Sequence, residues 1–126
     1  MIALVGMTLD ETRIGGSPQD VGRQPAPSAT LVVVHSADRE EQGKRYPLRE
    51  EDLTLGREAG NTIVIGSDQA SRRHARIFVS GGVHVLVDLD STNGTFLNSK
   101  LVKEQTLRHG DVLRIASTVL KYVVDS

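Results

Sequence analysis

The chain has 126 residues, with 15 Lys and Arg against 16 Asp and Glu, 38% apolar residues and no cysteine. That length suits one domain able to bury a core without staples. The missing cysteines exclude a disulfide framework, a thiol nucleophile and a Cys-ligated metal, and fit a reducing, cytoplasmic setting.

Residues 1 to 29 hold four Gly and three Pro with no sustained period. They read as a flexible tail, because too little apolar surface is available to offset chain entropy. The apolar opening Met1–Gly6 is too short, and lacks the basic flank, for a signal peptide. Within the tail, Thr8 and Thr12 flank Asp10 and Glu11 and are accessible candidate phosphoacceptors. A sandwich domain is expected over residues 30 to 126.

From Thr30 the pattern is one of short strands. Thr30–His35 is β-branched, Tyr46 and Leu48 alternate with polar residues, and Leu53-Thr54-Leu55 follows an acidic turn. Thr62–Ile65 is a further β-branched run. His74–Val79 and Val83–Leu89 are separated by Ser80-Gly81-Gly82, a hairpin signal. Thr95–Leu97 and Leu101-Val102 are brief, and Val112–Ile115 and Val119–Val124 flank a tight connection at Ala116-Ser117-Thr118. Between them, residues 36 to 52 carry six acidic and four basic side chains and read as a solvated loop. No segment of ten residues shows helical apolar recurrence. Strands at roughly ten-residue spacing with Gly-rich turns imply an all-β sandwich or barrel.

Three loops are rich in groups that hold an oxyanion. Gly56-Arg57 places a planar fork of donors after a strand; the plain alternative is a surface Arg paired with Glu58. Ser71-Arg72-Arg73-His74 sets a hydroxyl beside guanidinium groups. His74 is read as a hydrogen-bonded, loop-orienting residue in preference to a proton carrier or ligand. Asp88-Leu89-Asp90-Ser91-Thr92-Asn93-Gly94-Thr95 contains the Asn-Gly turn signal. There Asn93 can grip an extended peptide backbone and Thr92 can add a hydroxyl, although a well-made turn alone accounts for the same residues.

These blocks, together with Gly110-Asp111, resemble in order and spacing the signature of the forkhead-associated (FHA) domain over about residues 30 to 124. The resemblance implies an antiparallel sandwich of about eleven strands whose loops bind phosphothreonine peptides. By position it implies that Arg57 and Ser71 hold the phosphate and Arg72 contacts phosphate or peptide backbone. It further implies that Thr92 supports the phosphate side, Asn93 grips the peptide and His74 braces the loops. Gly56, Gly94, Gly110 and Asp111 would shape turns. Two departures bear on turn geometry: Asn98-Ser99 stands where Asn-Gly is common, and Ala116 where Gly is common.

Phosphothreonine carries about -1.5 to -2 charges and three acceptor oxygens. Three charge-assisted hydrogen bonds of about 1.5 to 3 kcal/mol each, less association costs, leave about -8 kcal/mol, a micromolar dissociation constant. Partners implied are a phosphothreonine-containing protein or peptide, a Ser/Thr kinase or its substrate, and the chain's own tail through Thr8 or Thr12. The expected setting is a larger, often bacterial, signalling or transcription-regulatory protein.

Other classes fit less well. A nucleophile built from Ser71, His74 and Asp88 lacks the Gly-x-Ser-x-Gly elbow, so no enzyme is expected. His35, His74, His84 and His109 show no metal-ligand spacing, and no cofactor or metal is implied. A net charge of -1, with two Phe, two Tyr and no Trp, opposes direct nucleic-acid binding. No run approaches the ~18 apolar residues of a membrane span. The alternative from another class is a phosphate-independent protein-interaction or oligomerisation domain.

Overall fold

The computed structural model describes residues 26–49 and 51–125. It contains eleven strands and, among the described residues, no helix. In chain order they are β1 (Ala29–His35), β2 (Arg45–Leu48), β3 (Leu53–Gly56), β4 (Ile63–Val64) and β5 (Ala75–Ser80). There follow β6 (Val83–Asp88), β7 (Thr95–Leu97), β8 (Lys100–Val102), β9 (Glu104–Thr106), β10 (Val112–Ile115) and β11 (Thr118–Val124). A six-stranded sheet of order β2-β1-β11-β10-β7-β8 packs on a five-stranded sheet of order β4-β3-β5-β6-β9.

Period-two patterning decides which side chains meet between the sheets. Leu31 and Val33 of β1, Leu120 and Tyr122 of β11, and Leu113 and Ile115 of β10 point inward from one sheet. Leu53, Leu55, Ile77 and Leu86 meet them from the other. β1 pairs with both β2 and β11, and the β1–β11 ladder slips at a bulge between Val33 and His35.

Five local expectations change. The β3–β4 pair is parallel, so the sandwich is not wholly antiparallel. The run Thr62–Ile65 keeps only Ile63–Val64 as strand, because Thr62 and Thr54 exchange backbone N–H to side-chain Oγ1 bonds of 3.1 and 3.0 Å in place of ladder bonds. The hairpin before β11 has two turn residues, Ala116-Ser117, and Thr118 already pairs with Ile115. β9 had no apolar signal: Glu104 and Gln105 are exposed at a sheet edge. β1 begins at Ala29, paired with Val124 and Leu48, one residue before the expected boundary. Thr8 and Thr12 lie outside the described residues.

The ladder directions sort the connections into two ends. The segments after β3, before β5 and between β6 and β7 share one end with the β10–β11 turn. The turns Gly81-Gly82 and Asn98-Ser99, and Gly110-Asp111 before β10, lie at the other.

Candidate functional site

Gly56 ends β3, buried against the next loop. A Cβ there would collide with the Arg72 carbonyl oxygen and lie 2.8 Å from Asn61 Nδ2. The glycine is therefore required by close approach of another backbone, a stronger demand than a tight strand exit. Arg57 follows, exposed, with its backbone N–H donating to Ser71 O (3.0 Å) and its Nε–H to Ala70 O (3.1 Å). That second bond fixes the guanidinium plane. Its terminal nitrogens make no hydrogen bond to another described residue, so they are available to an outside acceptor.

The strip between β4 and β5 is held in place from both sides. Arg72 O accepts from Glu58 N–H (3.2 Å) and from Asn61 Nδ2 (2.8 Å); the same amide donates to Glu58 O (2.8 Å). Asn61 is buried, and the sequence reading did not single it out. A bare Asn-Thr before a β-branched run carries no mark of burial. The side chains of Arg72 and Arg73 are exposed.

His74 is fully buried. Ser71 N–H donates to its Nδ1 (3.1 Å), which assigns the ring hydrogen to Nε2, and Nε2 donates to Gly94 O (2.8 Å). One imidazole thus ties the 71–74 turn to the 89–94 loop from beneath. It is enclosed, and both ring nitrogens are taken up within the protein.

The third loop is built on Asp88. Its Oδ1 accepts from Ser91 Oγ (2.5 Å) and Thr95 Oγ1 (2.7 Å), and its Oδ2 from Ser91 N–H (3.1 Å). Burial raises the Asp88 pKa, but the hydrogen bonds from Ser91 and Thr95 outweigh it and hold the carboxyl below its ordinary value. Ser91 Oγ also accepts Gly94 N–H (3.0 Å), closing the turn. Gly94 has φ +91°, and a Cβ there would sit 2.5 Å from Leu101 Cδ1.

The three loops converge. Thr92 N–H donates to Ser71 Oγ (3.0 Å), which turns the Ser71 hydroxyl hydrogen away from Thr92. Asn93 Nδ2 donates to Gln69 O (2.8 Å) and Gln69 Oε1 (3.2 Å). The Asn93 amide hydrogens expected for a peptide are thus already engaged, and its carbonyl oxygen is the group left to a ligand. Gln69 is a second residue that sequence reasoning passed over. Arg57, Ser71, Arg72, Thr92 and Asn93 therefore belong to one surface. Gly110 and Asp111 do not: they lie at the opposite end, where Asp111 accepts from Asn98 Nδ2 (2.9 Å) and Arg108 N–H (2.8 Å).

Beside this surface a hollow of about 220 Å³ is lined by Thr92, Asn93, Gly94, Leu101, Val102 and Lys103, among others. Larger hollows lie elsewhere, including one of about 400 Å³ between the edge strands β8 and β9. An exposed fork, an oriented hydroxyl and an amide carbonyl suit a tetrahedral oxyanion held at the surface together with its peptide, and need no deep cavity. Among the described residues no group of His, Asp and Glu is placed to hold a metal ion. No helix among them is long and apolar enough to cross a membrane.

Comparison with known proteins points the same way. The family profile "FHA domain" matches residues 53–116. The chain is 31% identical over 115 residues to the oxoglutarate dehydrogenase inhibitor of Corynebacterium glutamicum, covering 90% of this chain and 78% of that protein. Its fold is similar to a structure solved in a study of phosphothreonine-dependent FHA domain interactions. There the TM-score is 0.69 and the identity 33%, over 79% of this chain and 98% of that one. Mycobacterium tuberculosis EmbR, in complex with a low-affinity phosphopeptide, gives a TM-score of 0.70 at 31% identity, over 79% of this chain and 25% of that one.

Proposed function

The chain belongs to the FHA domain family, and from that premise we propose that it is a phosphothreonine-peptide-binding signalling module without catalytic activity. The observation that carries the reading is the junction of the three loops: Arg57 bonded to Ala70 and Ser71, and Ser71 Oγ bonded to Thr92 N–H.

Three acceptor oxygens of a phosphothreonine meet the two terminal nitrogens of Arg57 and the Ser71 hydroxyl hydrogen. Arg72, next to Ser71 and exposed, adds charge to the phosphate or a bond to the peptide. The Asn93 carbonyl accepts a peptide N–H beside the phosphothreonine, and Thr92 positions Ser71. His74, Gly56 and Gly94 hold the loops. None of these donors has to be moved far to bind, which limits the ordering penalty of association. The partner is a phosphothreonine-containing protein, a Ser/Thr kinase or one of its substrates, in the cytoplasm. One such ligand is the chain's own Thr8 or Thr12 after phosphorylation.

The test is calorimetry with phosphorylated and unphosphorylated forms of peptides chosen from an oriented phosphothreonine library. Wild type binds the phosphorylated form at micromolar affinity. Arg57→Ala and Ser71→Ala each lose about 1.5 to 3 kcal/mol of it. Equal binding of the two peptide forms overturns the reading in favour of phosphate-independent interaction. A phosphopeptide spanning residues 5 to 16 that displaces no library ligand, even at millimolar concentration, removes self-binding alone.

A further inference from the structure

The outer face of the six-stranded sheet meets the loop site only at Leu101, which lies against Gly94, and it is not an ordinary solvated face. Directly paired residues run across it in register: Val119, Arg114, Phe96 and Leu101 form one row, with Val34 in the bulge of β1 at its end. Val34 is 54% and Leu101 62% exposed. A second row pairs Arg45, Val32, Lys121 and Val112. The guanidinium of Arg114 lies over the Phe96 ring, 4.3 Å from its centroid, so the ring offers its apolar edge beneath a fixed cation. Arg45, Lys121 and Arg114 form no salt bridge with a described residue, and neither row contains a carboxylate. Against Val112, Val119 and Arg114, with Asn98 and Ser99 at the rim, the face sinks into a hollow of about 450 Å³.

We infer that this sheet face is a second docking surface, for a protein segment that presents large apolar side chains interleaved with Asp and Glu. Charge decides the occupant. A second copy packed face to face brings Arg45, Lys121 and Arg114 against their own counterparts, which is repulsive in an isologous contact. A bilayer answers the cations but gains nothing from a concave hollow of side-chain size. An acidic, apolar segment meets both features: one or two side chains fill the hollow and carboxylates pair with the three cations. The hollow at Val112, Val119 and Arg114 is separate from the phosphate loops, and its occupation does not depend on phosphorylation.

The experiment is selection of unphosphorylated random 12-residue peptides displayed on phage against the full chain, followed by titration of the enriched peptides. The expected result is enrichment of sequences alternating apolar residues with Asp or Glu. Their affinity should fall at least about tenfold in the Arg114→Glu/Lys121→Glu double variant. Amide shifts on binding should fall on Val112, Val119 and Lys121, not on Ser71 or Thr92. An unchanged thermal midpoint shows that the exposed double variant is folded, and phosphopeptide binding measured beside it reports separately on the loop site. Failure of any sequence to enrich, or enriched peptides that bind the double variant equally, overturns the inference. So does concentration-dependent dimerisation abolished by the double variant, which gives the face to a second copy. Binding to phosphatidylglycerol vesicles that the enriched peptides do not compete for assigns it to a lipid surface. Enrichment that appears only after Asp10→Lys/Glu11→Lys assigns it to the chain's own first residues.

Discussion

At one end of the sandwich three long loops gather beside the short β10–β11 turn; at the other, two hairpins turn in two residues each. The long loops are held by side chains bonded to backbone: Asn61 to Arg72 O, His74 to Gly94 O, and Asp88 to Ser91 N–H. The short turns rest on positive φ at both central residues, 58° and 81° at Gly81-Gly82 and 50° and 70° at Asn98-Ser99, where the Asn98 amide adds bonds to Asp111 Oδ1 and Val112 N–H. A loop that must hold a ligand has to leave some donors unspent, so its shape is set from beneath by buried polar groups. A turn with no ligand needs only a permissive residue. Substitutions at the two ends therefore separate function from stability in different ways.

The largest effect is expected at Gly56→Ala, where the added methyl meets backbone and not a flexible side-chain tip. Overpacking of this kind destabilises by about 1 to 3 kcal/mol. Here the strip that yields carries Ser71 and Arg72. Phosphopeptide affinity should fall with the thermal midpoint, although Gly56 touches no ligand. Unchanged affinity and stability would mean that the strip moves freely and that the loop end is not braced.

Next comes Asp88→Asn. Its carboxylate accepts three donors, and an amide turned to keep some of those bonds opposes an N–H to the others. The expected loss is about 2 kcal/mol, or ~10 °C in Tm. Proteolysis should strike the 89–94 loop before the strands.

pH sharpens the contrast further. His84 is buried and bonded through Nδ1 to the Tyr122 hydroxyl (2.6 Å), and burial lowers its pKa. The unfolded chain then binds a proton below ~6.5 that the folded chain refuses. The stability tied to His84 is thus complete above that pH and lost as pH falls through the lowered folded value. Asp88 adds a second loss at lower pH, beginning near ~3.9 and continuing through its depressed folded pKa. Urea melts should show His84→Gln removing the upper step and Asp88→Asn the lower.

The same contrast explains what the sequence disclosed. Alternation in Leu53-Thr54-Leu55 exposes strand and facing together, because period two is a property of neighbours, whereas the run Thr30–His35 announced a strand through its β-branched residues. Arg57, Ser71 and Asn93, the groups proposed to face the ligand, were legible because they stand in short polar clusters flanked by turn signals. Asn61 and Gln69 were not. Their importance lies in partners 11 and 24 residues away, and nothing local distinguishes a buried Asn from an exposed one. β9 escaped for a related reason: Glu104-Gln105-Thr106 is an edge strand with nothing apolar to alternate, defined only by its pairing with Val85–Val87.

The smallest effects belong to the turns and have opposite signs. Ser99 (φ 70°) and Ala116 (φ 55°) occupy left-handed backbone that a Cβ disfavours by about 1 to 2 kcal/mol. Glycine relieves that strain but raises the entropy of the unfolded chain by ~0.4 to 1 kcal/mol. Ser99→Gly and Ala116→Gly should therefore each stabilise by about 0.5 kcal/mol in urea melts. Gly81→Ala should destabilise by a similar amount, since its Cβ would meet no atom within 4 Å and only the φ of 58° opposes it. At the two hairpins of the far end, phosphopeptide affinity should stay constant throughout. Ala116 shares the loop end, so an affinity change there but not at Ser99 would extend the ligand's footprint to the β10–β11 turn.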